Sequence, residues 1–153
     1  MALDHGNGTL IKGFPHSEAL DMRAHKTEGG DTILSVPYAE HLIGDPETGV
    51  IHGGVVTTLL DSGCGTAAIM KTGLMGFIAT LDLRIDYMRP ARVGKAVFAA
   101  CECYRVTRSV AFCRGVAYED SPDDPIATAA GAFMLTKPPA KAGAKAAKTE
   151  AKS

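Results

Sequence analysis

Tryptophan is absent and aromatic residues make up only 6% of the 153-residue chain, which weighs against a pocket built by stacking aryl groups. The four cysteines, Cys64, Cys101, Cys103 and Cys113, include no C-x-x-C pair. That spacing excludes a zinc ribbon and argues for free thiols in a reducing cytoplasm. None of the five histidines, His5, His16, His25, His41 and His52, has a partner four residues away, so no metal site is expected. No long apolar run exists: Ile126 to Leu135 is about half the ~20 residues that a membrane-crossing helix needs. The start, MALDHGNGTLIKG, has neither a basic opening nor an apolar centre, so no secretory leader is expected.

Strong charge of either sign is missing too, but the net −1 conceals an asymmetry. From Lys137 to Ser153 there are five lysines and one acid, Glu150, giving +4; the other 136 residues hold 11 basic and 16 acidic groups, or −5. A domain at −5 is a poor surface for polyanions, so nucleic-acid binding is not expected. Gly29-Gly30 and Gly53-Gly54 lack the flanking pattern of a phosphate-binding loop.

What is present fits one domain of ordinary size. Hydrophobic residues at 46% and charged residues at 22% are globular values. Residues 1–22 are mixed and Gly-rich, with a short helix expected around Ser17 to Met22. Arg23–Glu28 and Thr32–Tyr38 read as two strands about Gly29-Gly30-Asp31. A turn-rich loop, Gly44-Asp45-Pro46-Glu47-Thr48-Gly49, precedes the segment HGGVVTTLLDSGCGTAAIMKT over residues 52–72, whose apolar positions recur at helical spacing. From Phe77 to Met88 the period becomes two, with Leu81, Leu83, Ile85 and Tyr87 on one side and Asp82, Arg84 and Asp86 on the other. Three further strand-length runs follow over 96–106, 109–119 and 125–136, joined by short turns that imply antiparallel neighbours. The expectation is an α+β domain over 23–136, one long helix covering a sheet face. The Lys/Ala/Pro-rich stretch 137–153 has no bulky apolar anchor and is expected to be disordered.

The helix breaks local rules in three places at once, as functional sites do. Gly53-Gly54 opens it, where backbone N–H groups have no intrahelical partner and can face a developing oxyanion. Asp61 stands mid-helix beside Leu59 and Leu60, where a carboxylate suits general-base chemistry. Gly63, Cys64, Gly65, Ala67 and Ala68 make the next turns thin. Gly53 and Asp61 lie eight residues apart, about 12 Å along the axis, too far to serve one carbonyl. Two such helices packed antiparallel would bring Gly53 of one subunit to Asp61 of the other, so a catalytic site implies a two-fold dimer. The other reading makes Asp61 a surface residue and the glycines a flexible hinge. Cys64, with no histidine near it in sequence, reads as a small buried helix residue.

The string GDPETGVIHGGVVTTLLDSGCGTAA, followed by TLDLRIDYMRPARVG, resembles the PaaI-like acyl-CoA thioesterases of the hotdog-fold superfamily over roughly residues 20–136. The resemblance implies a five- or six-stranded antiparallel sheet around one long helix, no cofactor, and a homodimer or dimer of dimers acting on acyl-CoA. It assigns Asp61 as general base or nucleophile, Gly53 and Gly54 as backbone donors to the thioester oxygen, His52 as the residue opening the helix, and Thr80 as a hydroxyl orienting water. Asp45 stands near the place where the family supplies an Asn or Gln. Arg89, Arg92, Lys95 and Arg108 are the cations available to CoA phosphates. An enoyl-CoA hydratase or dehydratase on the same scaffold, and a non-catalytic acyl-CoA binder, are the alternatives.

Overall fold

The computed structural model describes residues 3–25, 31–73 and 78–135; the Gly29-Gly30 turn and the 137–153 tail lie outside them. The long helix, α2, runs Gly53–Thr72, one residue shorter than expected. Its buried residues are Val55, Val56, Leu59, Leu60, Gly63, Cys64, Ala67 and Ala68, a stripe repeating every three to four positions. The stripe locates the core: Leu59 and Leu60 are fully buried, and cutting either to alanine costs about 2–5 kcal/mol. Gly73 ends the helix in a left-handed conformation at φ 64°, its N–H returning to the Ile69 carbonyl.

Seven antiparallel strands form the sheet that wraps α2. They are β1 (Thr9–Leu10), β2 (Arg23–His25), β3 (Thr32–Val36), β6 (Ile78–Tyr87), β7 (Val97–Val106), β8 (Val110–Tyr118) and β9 (Ala127–Leu135). Their order is β1-β2-β3-β7-β8-β9-β6. A separate hairpin, β4 (Ile43–Asp45) with β5 (Val50–Ile51), occupies the stretch expected as loop. The expected five or six strands become seven because Thr9 and Leu10 pair with Ala24 and Arg23 and extend the sheet edge. The first helix, α1, is Pro15–Ala19 rather than 17–22. Proline at its first position, not Ser17, sets the start, since its missing N–H is one the helix would leave unbonded anyway.

The inner face of the sheet carries small residues where α2 crosses it. Cys101 of β7 is the clearest case: a Cβ on Gly63 would lie 2.6 Å from its Sγ, and one on Gly115 of β8 would lie 2.8 Å from it. The thinness of Gly63 therefore serves the chain's own sheet and not a second helix. Gly65 differs, being half-exposed along with Ser62, Thr66 and Ile69 on the flank the sheet leaves uncovered. All four cysteines are buried free thiols. Hydrogen bonding to Cys64 and burial push the Cys101 thiol far above the ordinary cysteine range, and a thiol held protonated is a poor nucleophile.

Candidate active site

The start of α2 is built by His52. Its exposed imidazole caps the helix, Nδ1 accepting from the Gly54 N–H at 2.9 Å, while its backbone N–H goes to the Leu42 carbonyl at 2.8 Å. Gly54 is thereby occupied, and of the two expected donors only Gly53 keeps an N–H with no partner among the described residues. Tyr87, at the end of β6, donates to the Gly53 carbonyl at 2.7 Å, and the Thr57 hydroxyl lies 2.8 Å from the Tyr87 oxygen. Gly53 and Tyr87 also line an open pocket of about 370 Å³, with Val50, Ile51, Met88 and Pro90 among its walls.

Asp61 is half-buried, two turns further along. Its Oδ1 accepts from the Thr80 hydroxyl at 2.8 Å, and its Oδ2 has no partner among the described residues. A bulge brings Thr80 there. Strict alternation would put Thr80 on the face of Asp82, away from the helix. The β6–β9 register instead shifts between Thr80 and Asp82, pairing Thr80 with Phe133 and Asp82 with Ala132. Phe133 is buried under the helix, so Thr80 shares the inner face with Leu83, Ile85 and Tyr87. Leu81, expected on that face, is the extra residue and is 51% exposed.

The expected binding residues are dispersed. Asp45 closes its own turn, accepting from the Thr48 hydroxyl at 2.6 Å and the Glu47 N–H at 3.1 Å. The Thr48 bond, with the Glu47 bond behind it, holds its carboxyl below the usual range. Arg89, Arg92 and Lys95 meet three carboxylates of the β8–β9 connection. Arg89 Nη2 donates to Glu119 Oε2 at 2.7 Å and Nε to Asp124 Oδ1 at 3.1 Å; Arg92 reaches Asp120 at 2.8 Å and Asp124 at 2.9 Å; Lys95 reaches Asp120 at 2.9 Å. Arg108 is exposed at the opposite end of β7, with no ion pair among the described residues. Ten strand residues, about 30 Å, separate it from Lys95, so one protomer does not gather the four cations.

Sequence reasoning missed the Tyr87–Thr57–Gly53 contact, having placed Tyr87 among the apolar positions of its strand. The available signal was a phenol in an otherwise aliphatic alternation, since a partly buried tyrosine hydroxyl seeks a partner.

A long helix held by a curled antiparallel sheet, with a carboxylate on its uncovered flank and a bare N–H at its start, defines the hotdog class of proteins. The chain belongs to the thioesterase superfamily, whose family model matches residues 48–126. A relative from Halobacterium salinarum is 34% identical over 76 residues, 48% of this chain, and the chain spans about half of that relative's length, 50%. The medium/long-chain acyl-CoA thioesterase YigI of Escherichia coli is 26% identical over 80% of this chain and 86% of its own. A crystal structure of a Pseudomonas aeruginosa protein is 44% identical with a TM-score of 0.73, over 80% of this chain and 91% of that one. The phenylacetic acid degradation protein PaaI of Thermus thermophilus, in the structure of a point mutant, shares the fold at 23% identity and a TM-score of 0.68, over 80% of this chain and all of that one, 100%.

Proposed function

We propose that the protein hydrolyses acyl-CoA thioesters to the free acid and CoA, without a cofactor, as a homodimer or dimer of dimers in the cytoplasm. The observation that supports this most is the state of Asp61: a half-buried carboxylate steadied by Thr80 on one oxygen and open on the other. Water held at the open oxygen gives up its proton as it attacks the thioester carbon. The carbonyl oxygen gathers charge against the Gly53 N–H of the partner subunit, the C–S bond breaks, and the CoA thiolate takes a proton. Direct attack by the carboxylate, through an anhydride that water then opens, uses the same geometry.

Three features support the dimer. The helix flank of Asp61, Ser62, Gly65, Thr66 and Ile69 is half-exposed. Strand β6 ends the sheet, with one edge unpaired among the described residues. Large apolar side chains stand in solvent around it, Met70 at 73%, Met88 at 57% and Leu81 at 51% exposed, a pattern that marks an interaction surface. For CoA phosphates, Arg108 offers a charge that no carboxylate of the described chain has met. Arg89, Arg92 and Lys95 would have to exchange carboxylates for phosphate, and Asp45 brings an acceptor to the loop ahead of His52. A thiol-release screen over short, medium, long and aryl acyl-CoAs tests the proposal. Release from one class is the expected result. CoA-ester binding without release would make the protein a binder, and hydration of an enoyl-CoA instead would make it a hydratase.

A further inference from the structure

The peptide group joining Gly53 to Gly54 is gripped at both edges by side chains. Its N–H, on Gly54, is held by His52 Nδ1 at 2.9 Å, and its C=O, on Gly53, is held by the Tyr87 hydroxyl at 2.7 Å. Hydrogen count and distance together orient the second contact. A phenol has one hydrogen and the Gly53 carbonyl can only accept; at 2.7 Å, against 3.3 Å for the Thr57 hydroxyl, Tyr87 is the better-placed donor to Gly53. The Thr57 hydroxyl, 2.8 Å from the Tyr87 oxygen and a longer 3.3 Å from Gly53 O, then donates to Tyr87. The relay Thr57 to Tyr87 to Gly53 is a short chain in which each bond polarises the next.

Two successive glycines are the most mobile start a helix can have, because neither carries a Cβ to restrict its dihedrals. Gripping their shared peptide plane from both sides removes that freedom and leaves the preceding N–H, on Gly53, as the unbonded donor at the helix end. Tyr87 is well placed for this: the residue is 50% exposed, stands on the inner face of β6 and lines the same 370 Å³ pocket as Gly53.

We propose that Tyr87 is a positioning residue: with His52 it clamps the Gly53–Gly54 peptide and so pre-aims the Gly53 N–H at the thioester oxygen. The inference rests on the proposed hydrolysis for its function but on the clamp alone for its geometry. A donor aimed in advance acts where charge develops, in the transition state, more than on bound substrate.

Tyr87→Phe deletes only the hydroxyl and separates the two. With an acyl-CoA that the wild type hydrolyses, kcat should fall about tenfold while KM moves less than about twofold, the mark of an interaction made mainly in the transition state. Independently of any activity, amide exchange at Gly54 should quicken several-fold in Tyr87→Phe with the melting temperature nearly unchanged. Wild-type kcat in the variant, or unchanged Gly54 exchange, overturns the clamp. Asp61→Asn is the control: it should cut kcat about 10²–10⁴-fold while leaving Gly54 exchange at the wild-type rate. If Asp61→Asn keeps full turnover, the proposed mechanism falls and the exchange measurement still decides the clamp.

Discussion

Glu119 and Asp61 are both carboxylates withdrawn from water, and their surroundings differ in one respect that separates structure from chemistry. The Glu119 side chain is fully buried and both oxygens are taken, Oε2 by Arg89 at 2.7 Å and Oε1 by the Arg92 backbone N–H at 2.6 Å. With Asp120 and Asp124 it sets three carboxylates against Arg89, Arg92 and Lys95, so the hub is neutral. It joins the link after β6 to the link after β8, which is also where Met88 N–H meets the Ile126 carbonyl at 2.8 Å. The hub thus fixes the end of β6 from which Tyr87 reaches Gly53. Asp61 has one oxygen bound and one open. A satisfied buried charge resists change, and an unsatisfied one at a surface flank is available for work.

The largest expected effect breaks the comparison at Asp61. Asparagine keeps an oxygen for Thr80 but cannot take a proton from water. Asp61→Asn should therefore lose about 10²–10⁴ in kcat, as removal of a general base does, with little change in melting temperature. Wild-type turnover in a folded Asp61→Asn protein would end the mechanism. At Glu119 the ranking reverses. Glu119→Ala strips the Arg92 backbone N–H and one edge of Arg89 of their acceptor while Arg89 keeps Asp124, and should cost about 1–3 kcal/mol of unfolding free energy, the range for buried polar groups left unsatisfied. Chemical denaturation measures it, and an unchanged midpoint would show that the hub adds nothing to stability.

These two sites also show what a sequence can disclose. Helix α2 and strands β6 to β9 were legible within two residues, because their periods of 3.6 and 2 are local and each stretch is long. Asp61 was legible because a carboxylate is out of place on an apolar helix. The approach of Thr80 to it was not, since it depends on the bulge at Leu81, and alternation alone sends Thr80 to the wrong face. The hub was half legible: Arg89, Arg92 and Lys95 stood out as a cluster of cations, but their partners lie 25–35 residues further on. Spacing shows charges that are neighbours in sequence and says nothing of what meets them across a sheet. The same limit hid a third polar cluster. His5 and His25, with no helical pairing between them, converge on Ser35 from opposite sides, at 2.8 Å and 2.7 Å.

That cluster yields the smallest effect and a finer version of the comparison, a buried polar group whose satisfaction depends on pH. Ser35 is fully buried and its hydroxyl has one hydrogen to give. His5 also bonds Asp21 through Nε2 at 3.1 Å, so the carboxylate holds one side of its ring and Ser35 the other, while His25 meets the same hydroxyl through Nε2. Burial, followed by the nearby charges of His5 and Arg23 and against that of Asp4, pushes His25 below its ordinary value of 6.5. The unfolded chain therefore binds a proton near pH 6.5 that the folded chain refuses until lower pH. Stability is complete above 6.5 and falls as pH drops from there through the folded value. Asp21, lowered chiefly by its bond to His5 with Arg23 assisting, adds its own loss only as pH falls from its ordinary value of 3.8 downward. Between pH 7 and 5 the unfolding free energy should decline, and only slightly, because the ring is half-buried and solvent screens it. His25→Gln, which keeps an acceptor for Ser35 without a titrating ring, should flatten that slope. An equal slope in the variant would place the acid sensitivity elsewhere and leave Ser35 as indifferent to pH as Glu119 is to solvent.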